Sequence, residues 1–133
     1  MQITFVRSGG LAAIPGLSVE GTVDLGDARP QVTSASARYQ RELTPQEVEQ
    51  LHAATDPAAL SRARTALASR ASRTYDAYQY EVTLTPKSGQ RQTVTFNATG
   101  GDEVGRVAPA LGRLVQWIDD EAQRIREHRL KNR

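Results

Sequence analysis

Tyr78-Gln79-Tyr80-Glu81-Val82-Thr83-Leu84-Thr85 decides how this chain is to be read. Tyr78, Tyr80, Val82 and Leu84 alternate with Gln79, Glu81 and Thr83. A period of two over aromatic and β-branched residues is the pattern of a strand with one buried face. The strand is expected from about Tyr75 to Thr85. Pro86-Lys87-Ser88-Gly89 then reads as a turn, and Gln92 to Asn97 alternates again with Val94 and Phe96 inward, so the two segments predict a hairpin. A half-buried hairpin needs an apolar layer against it, and the chain supplies one downstream. From about Val107, Leu111, Leu114, Val115, Ile118, Ala122 and Ile125 recur at helical spacing and form a stripe that can lie across a sheet. Asp120 and Arg124 stand four apart on the outer side of that helix and are expected to pair.

Upstream, Ile3 and Phe5 alternate with Thr4, which predicts a strand over residues 2–7. Ser8-Gly9-Gly10 breaks it, and Leu11 to Gly16 follows as a short apolar segment. Leu17, Val19 and Val23 restore a strand-like period, with a bulge or bend expected at Gly21. Gly26 to Pro30 is a loop. Residues 31–43, dominated by Ser, Thr and Ala, read either as an extended strand ending near Tyr39 and Leu43 or as linker. Thr44-Pro45-Gln46-Glu47 marks a helix start, with Thr as N-cap, Pro in the first turn and Glu at the third position; Val48 and Leu51 face inward. Asp56-Pro57 repeats that logic, with Leu60, Ala63 and Leu67 forming a narrow stripe to about Ser72. Arg62, Arg64, Arg70 and Arg73 lie mostly off the stripe, as on a solvated face. The expected fold is α+β: one domain over residues 1–133, an antiparallel sheet of about four strands drawn from both ends of the chain, helices on one face, and a long C-terminal helix.

Composition narrows the function. The chain of 133 residues is long enough to bury a core, and with no cysteine it has no disulfide, thiolate metal site or thiol nucleophile. The N-terminus lacks the features of a secretory signal, and no apolar stretch approaches the roughly 20 residues of a membrane helix, so a soluble, cytoplasmic, monomeric protein with no membrane partner is expected. The net charge of +2 is misleading as a hint of nucleic-acid binding. The tail 124–133 holds Arg124, Arg126, Arg129, Lys131 and Arg133 against Glu127; without it, 12 basic residues face 14 acidic ones. A basic surplus confined to a helix end, where it suits the helix dipole, is not the stripe that binds phosphates.

The templates for catalysis are not met. His52 and His128 lie on separate predicted helices without partners at metal spacing. Ser8 sits in Arg7-Ser8-Gly9-Gly10, not in a nucleophile elbow. Gly9-Gly10 and Gly100-Gly101 lack the lysine and spacing of phosphate loops. Asp119-Asp120-Glu121 points its acids in different directions. Asn97-Ala98-Thr99 matches a glycosylation acceptor but has no secretory signal to go with it. The reading is therefore of a non-enzyme with no catalytic residue, no metal ligand and no cofactor. Two glycine-pair loops remain, at 8–11 and 99–102, each following a strand. Paired glycines let backbone approach a partner closely, and Leu11 and Ile14 beside the first pair are natural apolar anchors.

The segment Ile3-Thr4-Phe5-Val6-Arg7-Ser8-Gly9-Gly10-Leu11-Ala12-Ala13-Ile14, the strand Tyr78-Gln79-Tyr80-Glu81-Val82, and Val94-Thr95-Phe96 with Leu111 to Trp117 resemble the emfourin family. Members are small bacterial inhibitors of protealysin, a thermolysin-like metallopeptidase. The resemblance covers roughly 70 residues at the two ends of the chain and does not extend between Gly26 and Thr74. It implies inhibition of a thermolysin-like (M4 family) zinc metallopeptidase by occlusion of its cleft. The implied contact residues are Arg7, Ser8, Gly9, Gly10, Leu11, Ala12, Ala13 and Ile14, with Gly100, Gly101, Asp102 and Glu103 as a second segment. It also implies that Leu11 or Ile14 fills or caps the enzyme's apolar pocket, that Asp102 or Glu103 is the group able to approach the zinc, or that the loop wedges the cleft open. The alternatives are a non-inhibitory adaptor that uses the same surface and a nucleic-acid module that uses the Arg-rich tail.

Overall fold

The computed structural model describes residues 1–9, 18–68 and 78–131, with backbone only at 57, 67 and 68. Among these residues six strands and four helices follow one another as β1 (Gln2–Gly9), β2 (Val19–Asp24), β3 (Gln31–Ser34), β4 (Tyr39–Glu42), α1 (Pro45–Ala54), α2 (Pro57–Ala68), β5 (Tyr78–Thr85), β6 (Gln92–Ala98), α3 (Gly101–Gly105) and α4 (Pro109–Lys131). The strands form one sheet in the order β4-β3-β2-β1-β5-β6, and every neighbouring pair is antiparallel. The N-terminal strand thus sits centrally, between its hairpin partner β2 and the distant β5. Among the described residues no helix is long and apolar enough to cross a membrane.

The class, the antiparallel sheet and the long terminal helix are as expected, but six strands replace the expected four. The two additional strands, β3 and β4, lie in the Ser/Thr/Ala region, and their inward positions explain why they were illegible. Val32 and Ser34 are buried on β3, while β4 turns Tyr39 and Arg41 inward to meet an acid on α4. A strand whose core face is a phenol and a guanidinium shows no apolar alternation. The expected bulge at Gly21 is absent too: Phe5 pairs directly with Gly21 in an unbroken register. A Cβ there would come within 2.5 Å of the Phe5 ring, so this glycine makes room for an aromatic side chain.

One face of the sheet buries Ile3, Phe5, Val19, Val23, Tyr80 and Val82 against the helices. Leu114, Val115, Trp117, Ile118, Ala122 and Ile125 on α4 are buried on the other side of that interface, and the Phe5 and Trp117 rings meet edge to face at 5.8 Å. The opposite face is polar. Thr33, Thr22, Thr4, Thr83 and Thr93 form a single cross-strand row on it, a use of residues that favour the extended backbone while tolerating water.

α1 starts on the expected capping box: the Glu47 N–H donates to Thr44 Oγ1 at 3.2 Å and the Thr44 N–H donates to Glu47 Oε1 at 3.1 Å. Asp56 caps α2 through the Ala58 N–H at 3.2 Å. The expected Asp120–Arg124 pair is not made. Asp120 accepts from Gln116, and Arg124 turns one residue closer, to Glu121. The glycine-bearing segment after β6, expected as a loop, continues into the short helix α3. It lies so close to α4 that a Cβ on Gly112 would be 2.4 Å from Gly105 Cα. Ser72, residues 75–77, Arg70 and Arg73 lie outside the described residues.

Candidate functional site

The register of the sheet brings together the two segments that the sequence singles out. Gly9 pairs with Tyr78 and Tyr78 pairs with Ala98, so the end of β1 and the end of β6 lie two strand spacings apart, about 10 Å, at the same end of the sheet. Ser8 and Gly9 close β1 here, with Gly9 at φ 85°, a left-handed conformation open to glycine. Thr99 and Gly100 follow β6, with Gly100 at φ 157°, and lead directly into α3.

Asp119 of α4 sits under both segments. Its Oδ1 accepts from Arg7 Nη1 at 3.1 Å and from the Tyr80 hydroxyl at 2.7 Å. Its Oδ2 faces Gly100, where an added Cβ would lie 3.4 Å away. The Arg7 guanidinium also stacks over the Tyr78 ring, 4.2 Å from its centroid, and Tyr80 in turn stacks on Phe96 at 5.3 Å. Burial, and then the Asp119 carboxylate to which it donates, push the Tyr80 phenol well above its ordinary range. Tyr80 is therefore a fixed donor here, and Asp119 accepts from it.

Arg7 is only 7% exposed and faces inward with Ile3 and Phe5. Its side chain is turned toward α4 and not toward solvent. Gly101 is buried against α4, Asp102 is exposed, and Glu103 accepts from the Thr99 N–H at 2.8 Å and its hydroxyl at 2.6 Å, closing the turn on itself. Gly10, Leu11, Ala12, Ala13 and Ile14 lie outside the described residues.

The returning side of the β1–β2 connection is also tied to α4. Arg129 Nη1 donates to the Ser18 carbonyl at 3.1 Å, and its other nitrogen donates to Ser36 Oγ at 2.9 Å. Ser36 and Ser34 donate to Glu20. Burial would raise the Glu20 carboxyl, but these hydrogen bonds and the nearby Arg129 outweigh it and hold the group below its ordinary value. Asp119 and Arg129 are ten residues apart, about 15 Å along the helix, so α4 pins both feet of the connection to a rigid bar.

Sequence reading missed Asp119, Arg129 and Ser18. A signal for the first was present: Arg7 stands at an inward position of its strand and Asp119 at the border of the apolar stripe, two charges where periodicity calls for apolar residues. Beside the second segment, a shallow groove of about 440 Å³ runs over Gly101, Gly105 and Gly112, walled by Asp102, Arg106 and Arg113. No group of three His, Asp or Glu side chains able to hold a metal occurs among the described residues. A scan against protein-family models matches no family, and comparisons with curated proteins and with solved structures return no match.

Proposed function

We propose that this chain is a proteinaceous inhibitor of a thermolysin-like (M4 family) zinc metallopeptidase, an emfourin-like protein that occludes the enzyme's cleft with the loops at one end of its sheet. The observation that carries the reading is the convergence of Ser8–Gly9 and Thr99–Glu103 on that end, above an acid that holds the elements beneath them. An inhibitor that enters a protease cleft needs loops of little entropy, because each side chain ordered on binding weakens the complex. Arg7 and Ser18, which flank the first segment, are both held to α4, and this supports the reading. Leu11 and Ile14, on the connection between those two residues, are the apolar anchors. Of the two acids assigned to the second segment, Asp102 is the one open to solvent and suited to approach the metal, since Glu103 is engaged by Thr99.

The test is a titration of a thermolysin-like peptidase with the protein while peptide hydrolysis is followed. Stoichiometric loss of activity is expected, and Leu11→Asp is expected to weaken binding by about 1–3 kcal/mol, roughly 5- to 150-fold in Kd. Undiminished hydrolysis at excess protein eliminates the inhibitor. Binding without inhibition would leave the same surface to an adaptor.

A further inference from the structure

The two edges of the sheet are built differently. β4 is four residues long, carries Arg41 and Glu42, and has Tyr39 and Arg41 tied down to α4. Short, charged edges resist pairing with another chain. β6 has none of these protections. It runs for seven residues, Gln92 to Ala98, without a charge, a proline or a glycine, and pairs with β5 in one unbroken register. No strand among the described residues lies on its outer side. Such an edge presents a row of backbone donors and acceptors to a partner strand.

We infer that the outer edge of β6 pairs with β6 of a second copy of this chain, antiparallel and about a two-fold axis at Thr95, to form a twelve-stranded sheet across a dimer. The axis must pass through a residue, since an axis between residues would set inward side chains opposite outward ones. Of the possible residues, only Thr95 pairs all seven positions. Thr95 then faces Thr95 and Thr93 faces Asn97 on the open side of the sheet. Val94 faces Phe96 on the helix-covered side, and Gln92 faces Ala98. Hydroxyls and amides meet on the open side, Val94 meets Phe96 on the covered side, the polar–apolar pair Gln92–Ala98 is confined to the two ends, and no like charges are opposed. The nearest acid is Glu81, opposite Thr95 on β5. The two copies of Glu81 would stand about 14 Å apart, beyond the screening length at physiological salt. The proposed dimer differs from the monomer expected from the sequence. Because the strands run antiparallel, the two Gly9 ends point in opposite directions, and both remain open.

Sedimentation equilibrium of the chain alone, without any peptidase, tests the dimer independently of the inhibitor reading. The wild type is expected to reach twice the single-chain mass at high micromolar concentration. Thr95→Glu and Thr95→Lys each set like charges face to face on the axis and are expected to sediment as single chains. An equimolar mixture of the two is expected to regain the doubled mass. Thr95 is exposed, so unchanged far-ultraviolet dichroism should accompany both variants. A wild type that stays at single-chain mass, a dimer that survives both variants, or a mixture that fails to reassociate overturns the proposal.

Discussion

Asp119 and Glu121 are two residues apart on α4, yet they build different kinds of site. Glu121 is 0% exposed and accepts four hydrogen bonds: from the Tyr39 hydroxyl at 2.7 Å, from Arg41 at 3.2 and 2.7 Å, and from Arg124 at 3.0 Å. Arg41 reaches on to Glu47 at 2.9 and 2.6 Å, and Glu47 accepts from Trp117 Nε1 at 2.9 Å while it caps α1. One connected network therefore fastens β4, α1 and α4 together. Asp119 is partly exposed and accepts from two side chains, both at the end of the sheet where the loops emerge. A carboxylate on the same helix thus serves cohesion on one flank and placement of the strand ends on the other. The difference lies in how completely each carboxylate is enclosed and in what its partners support.

Removing the enclosed acid should cost the most stability. Glu121→Gln keeps the shape but takes the charge from Arg41 and Tyr39; a loss of about 3 kcal/mol in urea unfolding is expected. That is the low end for a broken buried pair, because Arg41 retains Glu47. The loss of inhibition should be small once the variant is folded. Asp119→Asn should show the opposite balance. A stability loss of about 1–2 kcal/mol is expected from the unpaired Arg7, together with a faster dissociation of the peptidase complex. If the two variants change stability and inhibition in the same proportion, the division of labour is wrong.

The enclosed network should also set the pH limits of stability. Hydrogen bonds from Arg41, outweighing the cost of burial, hold the Glu47 carboxyl at about 2. A depressed carboxyl contributes fully above its unfolded value of 4.5, and its contribution is lost as pH falls from there toward 2. Burial and the Glu121 carboxylate raise the Tyr39 phenol to about 12. Its contribution is complete below pH 10 and lost between there and 12. Unfolding free energy measured against pH should fall across both windows, with Glu47→Gln flattening the acid limb and Tyr39→Phe the alkaline one. The smallest effect belongs to the acid between the two, Asp120, which faces solvent and accepts from Gln116. Asp120→Ala should change stability by about 0.5 kcal/mol or less and leave inhibition alone.

The contrast between these flanks also explains what could be read from sequence. The elements that rely on apolar periodicity were legible: β5 and β6 from alternation, α4 from its stripe, and α1 from its capping box. The network was not. β4 hides its inward face behind Tyr39 and Arg41, whose partner Glu121 is about 80 residues away. A charge at an inward position makes sense only beside the opposite charge that the fold brings to it. The candidate site was half legible for the same reason. Glycine pairs after strands drew notice to the two segments, but the inward-facing Arg7 finds its partner Asp119 only in the fold, 112 residues away. Gly101 to Glu103 passed for loop because a helix of five residues leaves almost no periodicity to detect.

The central claim concerns which end of the molecule meets its partner, and amide hydrogen exchange with and without a thermolysin-like peptidase measures this directly. The expected result is protection on complex formation at residues 8–18 and 99–103, with the exchange of α1 and of the threonine-lined face unchanged. Protection confined to those other surfaces, or none at saturating peptidase, would contradict it.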